Sequence, residues 1–198
     1  MFSIRDLRKV GLAQIKSERG DTFFIKGLSP DGRLLAVYRE HFKRLGSFKI
    51  DSSIQLHDTR TGELRVTLTG SNMMWSAHQV AWSPDSQTLV TAGGSHGYEG
   101  KIWDVATGQL RADLSLIVKE VHVPFTRGFN DLDRLSFHPS SPVVIGESQK
   151  LIKFWDPATG RLLQEIASAD LQRSRDSNLM ATITPGYNAI QIWEFVKR

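Results

Sequence analysis

Between residues 39 and 49 the chain gathers Arg39, His41, Lys43, Arg44 and Lys49, with Phe42 and Phe48 set among them. Guanidinium and ammonium groups donate charge-assisted hydrogen bonds to carboxylates and phosphates. The segment is therefore a candidate contact for an acidic peptide or a phosphate group. Its four Lys and Arg residues, set against Glu40 and Asp51, leave a local net charge of +2. The competing reading is a solvated hairpin tip whose phenylalanines pack inward. Trp75, Tyr98, Phe125 and Arg127 are of the types enriched at the energetic centres of protein interfaces, and His96 stands close to Tyr98. Each of these also reads as local packing.

Catalytic spacings are not met. The glycine-rich "GGSHGYEGK" of residues 93–101 invites a phosphate-loop reading, but the motif needs Gly where Ser95 stands and Ser or Thr where Ile102 stands. A strand follows it, where a phosphate loop needs a helix N-terminus. The six histidines, His41, His57, His78, His96, His122 and His138, show no metal-ligand spacing. No G-x-S-x-G nucleophile elbow is present. The expectation is a chain that is not an enzyme and binds no metal or cofactor. A site assembled across distant elements is the remaining catalytic alternative.

The bulk numbers are those of a globular domain: 198 residues, 40% hydrophobic, 23% charged, net charge +4. That charge is too diffuse to favour nucleic acid as partner. No run approaches the ~18 apolar residues of a membrane span. The opening "MFSIRDLRKVGLAQIK" lacks the apolar core of a secretory signal, so the expected location is cytoplasmic. The absence of cysteine excludes disulfides without discriminating compartments.

The elements that would hold these residues are written as a repeat. "IQLHDTRTGEL" (54–64), "KIWDVATGQL" (101–110) and "IKFWDPATGRL" (152–162) share a D-x-x-T-G-x-L frame, and "IQIWEF" (190–195) echoes it. Apolar and polar residues alternate before Asp58, Asp104 and Asp156, which is the period of a half-buried strand. Asp accepts turn N–H bonds, and Gly62, Gly108 and Gly160 supply the positive φ of a tight connection. A second mark precedes each hairpin: "SPDG" (29–32), "SPDS" (83–86), "HPSS" (138–141) and "SRDS" (174–177), a type I turn signature. Each unit thus reads as four strands joined by two short turns and one longer connection. The Asp58–Asp104, Asp104–Asp156 and Asp156–Glu194 spacings are 46, 52 and 38 residues.

With these motifs in place, the chain resembles the WD40 repeat family, whose unit of ~40–45 residues folds as a four-stranded propeller blade. The resemblance implies one all-β, propeller-type domain over residues 1–198, with blades near 20–69, 70–116, 117–167 and 168–195. It implies a non-catalytic scaffold that presents a rigid loop face to other proteins or peptides. An anionic ligand, whether phosphopeptide, nucleic acid or membrane, held by the basic segment is the alternative. The family's Gly-His before the first strand is absent, Ser71 standing where His is expected. Apolar packing of Trp82, Trp103, Phe137, Trp155 and Trp193 is therefore expected to hold the blades. Residues 9–16 are a candidate closing strand for the last blade. A homodimer completing an eight-bladed ring, a four-bladed ring and a piece of a longer propeller all fit. Long connections fall at 39–52, 71–79, 93–100 and 118–133, on the face opposite the short turns. Variation gathered on one face of a repeat array marks a binding face.

Overall fold

A computed structural model describes residues 14–42, 50–68, 77–93, 99–115, 134–148, 151–167, 171–174, 178–184 and 189–195. The described residues form fifteen strands and no helix. The first sheet runs β1 (Asp21–Leu28), β2 (Leu34–Phe42), β3 (Ile50–Asp58) and β4 (Leu64–Leu68). The second holds β5 (Ala77–Trp82), β6 (Thr88–Gly93), β7 (Glu99–Asp104) and β8 (Leu110–Ser115). The third holds β9 (Arg134–Phe137), β10 (Val144–Glu147), β11 (Leu151–Trp155) and β12 (Leu162–Ala167). The fourth has three strands, β13 (Leu171–Arg173), β14 (Leu179–Ile183) and β15 (Ile190–Glu194). Every sheet is an antiparallel meander in chain order. β5 lies against both β1 and β9, so the first strands of successive sheets line one side of the array.

Both repeated turns have a fixed chemistry. In the first, the backbone N–H of Leu34 donates to Ser29 Oγ at 2.9 Å, and the Ser29 hydroxyl donates to Asp31 at 2.6 Å. Thr88 on Ser83 and Leu179 on Ser174 repeat the backbone bond at 2.8 and 3.0 Å. His138 substitutes its ring, accepting the Ser140 N–H at Nδ1. In the second turn, Asp58, Asp104 and Asp156 accept backbone N–H bonds from Thr61, Thr107 and Ala158 at 2.9–3.0 Å. Gly62, Gly108 and Gly160 have φ of 75°, 71° and 72°. A register shift precedes each Asp, between Leu56 and His57, Ile102 and Trp103, and Phe154 and Trp155. The bulge adds one residue and sharpens the local twist.

Alternation sends one row of side chains toward the preceding sheet and one toward the following sheet, and the core consists of these junctions. Ala36, Tyr38, Ile54, Leu56 and Leu68 of the first sheet meet Leu89, Trp103 and Val105 of the second. Val90, Ala92, Ile102 and Leu114 then meet Leu135, Val144 and Trp155 of the third. Ile145, Ile152, Phe154 and Ile166 meet Met180, Trp193 and Phe195 in and beside the fourth. Trp103 and Trp155 are fully buried.

Packing is not the whole account of the tryptophans. Trp103 Nε1 donates to Thr91 Oγ1 at 3.0 Å and Trp193 Nε1 to Thr182 Oγ1 at 2.9 Å. The sequence points to apolar packing of these residues, and a buried indole N–H also needs an acceptor. In the third sheet the equivalent of these threonines is Gly146, and Trp155 Nε1 has no partner among the described residues.

Candidate functional site

Arg39 and His41 lie two apart on β2, on one face of the strand, and register places His41 opposite Asp21 and Arg39 opposite Phe23. Asp21 Oδ1 accepts Arg39 NH2 at 2.6 Å and contacts His41 Nδ1 at 2.8 Å. Its Oδ2 accepts the Glu18 backbone N–H at 2.8 Å. The Asp21 side chain is only 2% exposed. Burial alone would raise its pKa. The backbone N–H, Arg39 and His41 outweigh that and lower it from 3.8 to about 2. Gly20 takes φ +101° in the turn before β1, where an added Cβ would stand 2.8 Å from the Phe42 carbonyl oxygen. The N-terminal end of β1 is thus locked to the far end of β2.

Asp21 and Arg39 of this cluster line an open cavity of about 620 Å³, whose other lining residues include Lys16, Glu18, Gln55, His57 and Glu63. His57 stands where the later units carry Trp103, Trp155 and Trp193. It is buried, with Nε2 at 3.0 Å from Gln55 Oε1 and Nδ1 at 3.0 Å from the Gly62 carbonyl oxygen. Of the charged groups on the cavity wall, Arg39 and Asp21 engage each other. Among the described residues no group of three or more His, Asp or Glu side chains could hold a metal ion.

The predicted binding segment is therefore divided. Arg39 and His41 belong to a strand and face Asp21; sequence reasoning had them in a long connection beginning at residue 39. β2 continues to Phe42 and β3 begins at Ile50, so the connection is shorter and the hairpin longer than the sequence suggested. Lys43, Arg44, Lys49, Trp75, His96, Tyr98, Phe125 and Arg127 lie outside the described residues. Asp21 is the residue sequence reasoning missed. Its signal was an acid opening the apolar run "DTFFIKGL", some twenty residues before two bases spaced two apart.

Topology fixes where the connections lie. In an antiparallel meander the turns at 29–33, 58–63, 83–87, 104–109, 138–142 and 156–161 fall at one end of the sheets. The strand ends Phe42 and Ile50, Leu68 and Ala77, Gly93 and Glu99, and Ser115 and Arg134 lie at the other. Among the described residues no helix is long and apolar enough to cross a membrane.

No protein-family model matches this chain, and no curated protein matches it. Solved structures do. It aligns with a chain of a mitotic checkpoint complex at TM-score 0.57 and 14% identity, over 90% of its own length and 49% of the other's. A chain from a eukaryotic initiation factor structure aligns at TM-score 0.55 and 14% identity, over 92% and 43%. The chain is similar to these in fold, an all-β array of propeller-type blades, and spans about half their length or less.

Proposed function

We propose that the protein is a non-catalytic scaffold of the WD40 kind, on which partner proteins or peptides bind the face carrying the long connections. The observation that carries this reading is the asymmetry between the two ends of the sheets. Among the described residues, one end is built from short turns held by Ser, His or Asp side chains. At the other end the strands are joined by connections that are longer in sequence, and Trp75, Tyr98, Phe125 and Arg127 belong to the sequence of these connections. A rigid frame that fixes its loops before contact loses little conformational freedom on binding. Both structural neighbours come from assemblies named as a complex or an initiation factor, and this fits a partner-binding role. Two copies closing one eight-bladed ring belong to the same reading.

The anionic-ligand reading is disfavoured by the pairing of Arg39 and His41 with Asp21, which leaves only Lys43, Arg44 and Lys49 of that segment to meet phosphate. The test is affinity capture with the full chain. A variant carrying Trp75→Ala, Tyr98→Ala and Phe125→Ala is compared with one carrying Arg60→Ala and Arg161→Ala on the short-turn end. Specific partners lost only in the first variant support the reading. Equal loss in both overturns it. Bound material that is nucleic acid, released steeply by salt, also overturns it.

A further inference from the structure

The repeat supplies its own comparison, because strand register puts each residue of one sheet level with a counterpart in the others. In the third sheet Glu147 of β10 stands opposite Arg134 of β9. The corresponding pairs are Tyr38 with Phe24 in the first sheet and Ala92 with Gln79 in the second, and Ile183 takes the place of Glu147 in the fourth. None of these is charged. Arg173 of β13, opposite Met180, stands where the earlier sheets carry Leu28, Trp82 and Phe137. Three positions that are uncharged in the other sheets thus become charged together.

They also converge. Arg173 reaches from the fourth sheet to the third, where its NH2 donates to Glu147 Oε1 at 2.9 Å. The two side chains are 12% and 15% exposed. Arg134, the cross-strand neighbour of Glu147, is exposed. Burial lowers the Arg173 pKa from its ordinary value, Glu147 opposes the shift, and the Arg134 guanidinium adds to it. Ser136 lies two residues along β9 from Arg134, on the same face, and its buried hydroxyl has no partner among the described residues. Two guanidiniums around one carboxylate leave one positive charge in excess.

Folding does not account for this group. A buried ion pair does little better than apolar residues of similar volume, and the first two junctions use such residues. Trp82 lies 3.7 Å from where a Cβ on Gly27 would stand, and Phe137 packs on the cluster that contains Ala81. Departures from an otherwise consistent pattern concentrate at functional sites. The place agrees, since Arg134 and Glu147 are strand ends on the side of the long connections.

We propose that Arg134, backed by Arg173 and Ser136, receives an acidic side chain of a partner protein. This rests on the scaffold reading above and names the partner's chemistry at one point of its contact. A carboxylate brings the single negative charge that the group lacks, and a guanidinium can offer it two parallel N–H donors. A phosphate, at about −1.5 to −2 charge, would overshoot that balance and crowd Glu147. Glu147 holds Arg173 in place, so the arginine is ordered before the partner arrives.

The test passes the full chain over immobilised peptide libraries, random in sequence around one fixed central residue: Glu, Gln or phosphoserine. Retention on the Glu library should exceed that on the Gln library by about tenfold, the worth of one charge-assisted hydrogen bond. Arg134→Gln should remove the preference at an unchanged urea midpoint, because the side chain it replaces is exposed. Arg134→Lys should keep only part of it, having the charge without the paired donors. Equal retention on the Glu and Gln libraries overturns the proposal, as does a Glu preference that survives Arg134→Gln. Stronger retention on phosphoserine than on Glu overturns the carboxylate assignment. A Glu preference that appears only after Asp131→Asn and Asp133→Asn also overturns it, by giving Arg134 to acids of the same chain. Capture of partner proteins through Trp75, Tyr98 and Phe125 is read separately, so failure here and failure of the scaffold reading are distinguishable.

Discussion

At the residue scale, the third sheet contains a natural deletion experiment. Trp103 and Trp193 each donate to a buried threonine, and Trp155 has Gly146 in that place. A buried donor without an acceptor costs about 1–3 kcal/mol, and Gly inside a strand weakens it further. Gly146→Thr is therefore expected to raise stability by about 1 kcal/mol or more, read from the urea midpoint at unchanged slope. Gly146→Val, of the same shape without the hydroxyl, should recover only the backbone part. Equal gains from the two would show that the bond is worth nothing. Trp155→Ala, by contrast, should cost about 3–5 kcal/mol. Asp21 predicts a pH effect. Its pKa is lowered from 3.8 to about 2 on folding, so its contribution is present above about pH 4 and lost as pH falls toward 2. Asp21→Asn should flatten that part of the acid unfolding profile, and at neutral pH it should loosen β1 from β2.

At the scale of elements, the two kinds of turn differ in what a methyl group would meet. Gly32 and Gly160 both have φ near 70°, but a Cβ at Gly32 meets nothing within 4 Å, while one at Gly160 strikes backbone of the neighbouring sheet. Gly32→Ala is expected to cost about 1–2 kcal/mol, the left-handed backbone alone. Gly160→Ala should cost clearly more, because the third sheet must move away from β8. Equal thermal shifts for the two would remove the junction role assigned to Gly160. These turns were legible in the sequence because their chemistry is local: Asp, Thr and Gly at fixed spacing bond within six residues. What was not legible is what depends on register. Thr91 and Thr182 become acceptors only once β6 is placed against β7 and β14 against β15. In the sequence Arg39 and His41 read as loop residues, because they open a run of charged side chains. Pairing with Asp21, some twenty residues away, lets the strand carry them.

The molecule as a whole is three junctions between four sheets, with two ends that differ. The first sheet exposes Phe24, Ile25 and Leu28, and buries His57 where the later sheets carry tryptophan. The fourth turns out Leu179, Ile190 and Ile192. The charge of two other outward turns follows the same local logic. Asp58 and Asp104 are held to a pKa of about 2 by turn N–H groups and by Arg65 and Arg111. Asp156, with Leu163 where those arginines stand, is lowered by Thr159 and the Ala158 N–H. The sequence displayed the four units, but the condition of their ends appears only when burial of equivalent positions is compared.

Coupling only between neighbours makes such an array behave as a short one-dimensional chain of cooperative units. A middle sheet can open only by breaking two junctions, whereas an end sheet breaks one. The fourth, with three strands among the described residues and its apolar face exposed, has the least to lose. In a single chain, amide hydrogen exchange should therefore run as a gradient: fastest in β13–β15, slower in the first sheet, slowest in β6, β7, β10 and β11. If a second copy covers β15, the gradient should collapse with rising protein concentration, and local breathing of the last sheet becomes the gate through which two copies separate.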